Sequence, residues 1–354
     1  MKPALAILLA AALATVGCSG APLATEFELA HAKEAARDDE GALTLYRLVR
    51  SECERPGAKP RPHDDCALAI VREAQLLERN QRWREAYDTW LLVPARASEA
   101  RKSARALVRA AELAADELHD AAGAEALAWR AIAKYPDELP ADDALALAVR
   151  LGKARDAVEL ARRLDELWPH VATFDLGDNV LFERAELART RLDDPAGAIR
   201  IYDLLAERYP RSGLRDDAIW RAAELTRASG DAKGALRRLR TILESRRDAL
   251  LTGSYNSIYL DDAQLLFGQI ELDDLHDADK AIEAFTALAD DYPESTLQDD
   301  GLLELARAQL ARHAPPSDGD KRAACASLAR LIENFPDSNR LRQARQLSTE
   351  LVCR

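Results

Sequence analysis

The sequence predicts an all-α fold, a right-handed superhelical solenoid of about eight helix-turn-helix hairpins. Three observations carry this expectation. Ala, Leu, Arg, Asp and Glu dominate the 354 residues, and these favour helix and pack helices closely. Runs rich in Val, Ile and Thr are few, which argues against sheet. An alanine recurs at Ala42, Ala86, Ala124, Ala157, Ala198, Ala235, Ala281 and Ala324, followed four and seven residues later by apolar positions. That spacing puts all three on one helical face, repeated along the chain.

The N-terminus reads as an address. Met1-Lys2 precedes an apolar run from Ala4 to Val16, and small residues follow. This is the pattern of a secretion signal over residues 1–17. The run is shorter than the roughly 20 residues a membrane-spanning helix needs. Thr15-Val16-Gly17-Cys18 resembles the lipobox of bacterial lipoproteins, with Thr15 where Leu is usual. The resemblance implies that Cys18 is lipidated and that residues 18–23 form a short linker. Ser19 after the lipidated position implies the outer membrane, with the protein facing the periplasm.

The repeat array is expected over residues 24–354. Within it, Asp stands four residues before the recurring Ala at Asp38, Asp120, Asp194, Asp231, Asp277 and Asp320. An Asp there accepts hydrogen bonds from the free N–H groups of a helix start, and its charge suits the positive helix end. Twelve residues after five of the alanines comes a proline preceded by an aromatic: Tyr135-Pro136, Trp168-Pro169, Tyr209-Pro210, Tyr292-Pro293 and Phe335-Pro336. Proline lacks the N–H and clashes with the preceding turn, so each pair is read as a helix stop. The unit is therefore helix A, a short turn, helix B and a stop. The small Ala lets A and B cross closely, and the larger residue four later fills space towards the next unit. One hairpin cannot bury such a stripe alone, so units must stack.

Four cysteines remain beyond Cys18. Cys53, Cys66, Cys325 and Cys353 form an even set, which in an oxidising compartment suggests two disulfides. Sequence proximity favours Cys53–Cys66 and Cys325–Cys353. No C-x-x-C spacing points to zinc or dithiol redox chemistry.

The pattern resembles the tetratricopeptide repeat. Gly230-Asp231 followed by Ala235 and Leu239 is similar to that family's turn and helix B, and Ala67 to Leu77 with Ala74, Trp83, Ala86 and Trp90 resembles a whole unit. Tyr209-Pro210-Arg211-Ser212 followed by Asp216-Asp217, with its counterparts at Tyr292 and Phe335, resembles two envelope families. These are the repeat lipoprotein of the β-barrel assembly machinery and the periplasmic coordinator of the Tol-Pal system. The resemblance implies a groove along helices A that binds partner proteins. The corresponding positions here include Arg109, Glu183 and Trp220, a mixed set that assigns no carboxylate clamp.

No motif for phosphate cradling, zinc proteolysis or a nucleophile elbow is present, and six scattered histidines assemble no obvious site. His119 and His276 precede Asp120 and Asp277 in the A-to-B turn, where Gly152 and Gly230 are read elsewhere, so they are structural positions. Paired acids such as Asp216-Asp217, Asp261-Asp262 and Asp299-Asp300 begin helices A, where negative charge is favourable. A net charge of −12 disfavours nucleic acid and anionic headgroups. The expectation is a scaffold without enzymatic activity, cofactor or metal, anchored by lipid alone and binding other envelope proteins. The alternative is a peptidoglycan- or glycan-associated module akin to the non-catalytic ring of lytic transglycosylases.

Overall fold

A computed structural model describes residues 25–54, 63–252 and 257–353. Cys18 and the signal segment 1–17 lie outside them, as does all but the end of the N-terminal region. The described residues form seventeen α-helices with one 3₁₀ turn and one π turn. None is long and apolar enough to cross a membrane. The chain divides into two compact units, residues up to Ala144 and Leu145–Arg354.

The first unit holds α1 (Glu26–Ala35), α2 (Asp39–Glu54), α3 (His63–Arg79), α4 (Trp83–Trp90), α5 (Ala100–Asp116) and α6 (Ala121–Lys134), then the start of α7 (Pro140–Arg155). Consecutive helices pack as antiparallel pairs from α1 through α6. At one end of α2, Arg79 forks onto Asp39. At the other, Cys53 and Cys66 are disulfide-bonded with Cα atoms 6.1 Å apart. Helix α4 ends at Trp90, and Val93 sits in the 3₁₀ turn Val93–Ala95. Pro94 explains the early stop, because it has no N–H to bond the Trp90 carbonyl.

The second unit continues with α8 (Ala157–Val171), α9 (Leu176–Thr190), α10 (Pro195–Arg208), α11 (Arg215–Ala228), α12 (Ala232–Thr252) and α13 (Leu260–Gln269). After the π turn Ile270–Asp274 come α14 (Ala278–Asp291), α15 (Gln298–Ala311), α16 (Asp318–Asn334) and α17 (Leu341–Glu350). Among the described residues, the cores around α9 to α17 follow one another, each fed by consecutive hairpins. The first joins Leu181, Ala198, Tyr202 and Ala218. The second joins Ile219, Ala235, Leu239 and Leu260, and the third joins Ala281, Phe285, Leu302 and Leu328. Cys325 and Cys353 are disulfide-bonded, 28 residues apart in sequence, which ties the end of the chain to α16.

Seven of the eight repeat alanines are fully buried: Ala42, Ala86, Ala124, Ala198, Ala235, Ala281 and Ala324. Ala157 is a correction. It is half-buried at the first position of α8, and the buried residue four after the capping Asp156 is Leu160. The aromatic-Pro frame misplaced it, because Trp168-Pro169 does not stop α8, which runs on to Val171. Gly152 is no turn residue either. It lies buried inside α7, with Leu160 packed where its side chain would be. Asp320 does not cap α16. Ser317 does, and Asp320 stands three residues into the capping box.

The remaining stops and turns share one geometry. Tyr135, Tyr209, Tyr292 and Phe335 end their helices with ψ between 55° and 66°. The following proline holds its predecessor out of the helical region. In the A-to-B turns, the residue before the capping position has positive φ at Arg37, Gln81, His119, Asp193, Gly230 and His276. The side chains of Asp120, Asp194, Asp231 and Asp277 then accept from the backbone N–H three residues on.

Candidate interaction grooves

Among the described residues, an open groove lies between helices A in each unit. In the first unit a groove of about 340 Å³ lies between α3 and α5, with Trp90 from α4 at its side. Three of its charged side chains, Glu78, Arg109 and Glu112, are engaged with one another. Arg109 forks onto Glu78 at 2.6 Å and reaches Glu112 at 2.7 Å, and Trp90 Nε1 donates to Glu78 at 2.5 Å. The Glu78 hydrogen bond pushes the Arg109 guanidinium still higher than usual.

In the second unit a groove of about 530 Å³ runs between α11 and α13. Trp220, Leu265 and Leu266 give it an apolar floor, Asp262 and Glu224 stand along it, and Arg227 closes one end. Arg227 is held by Asp274 at 2.7 Å. Trp220 lies flat on Tyr259, with ring centres 5.3 Å apart and planes 11° apart. The Tyr259 hydroxyl donates to Asp217 at 2.5 Å, which fixes that platform. Burial and this bond push the Tyr259 phenol up to about 12.

The paired aspartates work between hairpins. Ser295 Oγ donates to Asp261 at 2.7 Å, and Ser338 Oγ donates to Asp299 at 2.5 Å. Each serine also accepts from the backbone N–H two residues on, at Leu297 and Arg340. The start of one helix A is thereby fastened to the start of the next. Sequence reasoning read these acids as helix-end charge alone. The missed signal was the serine just before the next helix A, Ser295 or Ser338, whose carboxylate partner lies 34 or 39 residues earlier. Of the three helix A positions singled out in the sequence, Arg109 and Trp220 line grooves. Glu183 instead pairs with Lys153 at 2.8 Å. Among the described residues, no cluster of three or more His, Cys, Asp or Glu is placed to hold a metal ion.

Residues 179–212, 262–295 and 300–338 match the tetratricopeptide repeat family. Three stretches of the second unit are thus similar to tetratricopeptide repeats. These repeats are α9–α10, α13–α14 and α15–α16, and the hairpin α11–α12 sits between the first two with the same buried frame at Ala235, Leu239 and Ile242. The groove therefore lies between helix A of that hairpin and helix A of the next repeat.

Among solved structures, a tetratricopeptide repeat protein from Parabacteroides merdae is 15% identical, covering 80% of this chain and 99% of that one, with a TM-score of 0.32. The C-terminal part of a repeat-containing protein from Cytophaga hutchinsonii is 10% identical, covering 90% and 98%, at 0.38. Human IFIT1, in a dimer with PPP-AAAA, is 16% identical, covering 91% and 79%, at 0.36. No curated protein matches the sequence.

Proposed function

We propose that this protein is a lipid-anchored, periplasm-facing interaction scaffold, acting in outer-membrane protein assembly or envelope organisation. The observation that carries the scaffold reading is the groove between α11 and α13. It is open, floored by Trp220 and Leu265 and edged by charge, a shape suited to one face of an extended or helical segment. Tetratricopeptide repeats offer such grooves to protein partners, which supports the same reading. The anchor rests on the Cys18 sequence pattern. Lipid on that residue holds the mature chain to a membrane, with each buried CH₂ contributing about 0.8 kcal/mol.

Two measurements test this. Fractionation of wild type and Cys18→Ala, with a palmitate analogue as label, should show the wild type labelled and membrane-bound and the variant soluble. An unlabelled, soluble wild type removes the anchor. A pull-down with purified envelope components should retain barrel-assembly or envelope proteins and lose them with Trp220→Ala. Retention of glycan strands instead would replace the protein-scaffold reading with the glycan-associated one.

A further inference from the structure

The three aspartate pairs of the second unit occupy one register at the starts of α11, α13 and α15, and their second members have different fates. Asp217 accepts from the Tyr259 hydroxyl at 2.5 Å. Asp300 accepts from Arg340 Nε at 2.6 Å. Both donors sit at the same place in the following hairpin, two residues after the serine whose Oγ takes their backbone N–H: Ser257 before Tyr259 and Ser338 before Arg340. The same place after Ser295 is Leu297, whose backbone N–H bonds Ser295 Oγ at 3.0 Å. Leucine has no side-chain donor. Among the described residues, no side chain donates to the Asp262 carboxylate, and its backbone N–H bonds Asp261 Oδ1 at 3.1 Å.

Asp262 is thus the member of its series left without a partner, and it is the one that lines the groove. Its surroundings are negative. Partial burial comes first and then Asp261 and Glu224 in raising its pKa, with no cation to oppose them. Glu224 keeps only a 3.5 Å contact to Arg221. The groove's own cation, Arg227, is committed to Asp274. A half-buried carboxylate lacking its donor is completed when a cationic group arrives. The apolar floor of Trp220 and Leu265 lies alongside it.

We propose that this groove takes a segment of a partner protein that presents a lysine or arginine to Asp262 and an apolar side chain to Trp220 and Leu265. The proposal rests on the scaffold reading and names the chemistry of its partner. The basic group takes the place that Tyr259 and Arg340 fill at the neighbouring pairs, supplied from outside the chain.

The test uses the full-length protein in detergent and a phage-displayed library of random twelve-residue peptides. Wild type should enrich peptides with Lys or Arg about one helical turn from a large apolar residue. Synthetic copies should bind roughly 10-fold more weakly to Asp262→Asn, an isosteric change that removes one charge-assisted hydrogen bond. Leu297→Arg should weaken them at least as much, because it supplies from within the donor seen at Arg340. Thermal melts of both variants should match wild type or exceed it. Enriched peptides without a basic residue, bound equally by Asp262→Asn but lost with Trp220→Ala, would overturn the charge assignment and leave the scaffold standing. Enrichment of no peptide by the wild type would overturn both.

Discussion

Ala198 and Ala281 are fully buried where helices A and B of their repeats cross, with Tyr202 and Phe285 filling the space one turn later. Close packing leaves no room there for extra methylenes. Ala198→Leu should cost about 1–3 kcal/mol, whereas Arg200→Leu, two residues on and exposed, should change stability little. Equal thermal melts for the two variants would contradict this packing. Asp320 is a different kind of residue-scale constraint. The Ser317 hydroxyl, the Ser317 backbone N–H and His313 all donate to it, Ser317 most strongly, and they hold its carboxyl down to about 2. A depressed pKa stabilises the fold only while the group is charged. The contribution is complete above about pH 4 and disappears as pH falls towards about 2. Asp320→Asn cannot titrate, so its acid unfolding curve should lack the part of the wild-type decline that falls in that window. The Asp-to-Ala spacing concealed this, since Asp320 fits the position of the capping residues. The distinguishing signal was Ser317, which with Asp320 makes a capping box one turn upstream.

At the scale of the element, the A-to-B turn is the most regular feature of the chain. It needs a left-handed residue immediately before the cap, and Gly230 meets that need with φ of 87°. Gly230→Ala should destabilise by about 1 kcal/mol, because the added Cβ opposes that backbone conformation. Chemical denaturation with an unchanged m-value would confirm a loss confined to the folded state. His119 and His276 hold the same conformation with φ near 55°, so their place in the turn was legible from the neighbouring Asp. The fasteners between hairpins were not legible in the same way. Periodicity inspects one helix at a time, and Asp261 finds its serine 34 residues later, across an intervening helix B. Trp168-Pro169 misled for a related reason. The sequence shows a proline but not whether the preceding turn can bend around it, and α8 continues for two residues beyond.

Across the whole molecule, the all-α architecture followed from helix-favouring composition and the alanine frame. Those signals act within one unit of the repeat and survive variation in loop length. The division at Ala144 left no such trace, because α7 runs through it unbroken. The groove was half legible. Trp220 stood out as a helix A residue, whereas Asp262 became notable only when its fellow aspartates were seen to be occupied. In the second unit the three cores around Ala198, Ala235 and Ala281 each draw on neighbouring hairpins, so resistance to pulling there is local. Stretched from its ends in an optical trap, that unit should yield in steps. A matched repeat of 34 residues would release roughly 120 Å of chain, at about 3.6 Å per residue. The Cys325–Cys353 bond changes the last step. The 28-residue loop it closes cannot lengthen, so that event should be shorter by roughly 100 Å and recover its full length when a reductant is added. The tail of the chain thus behaves as a knot in a rope, which takes load without paying out until the sulfur bond is cut.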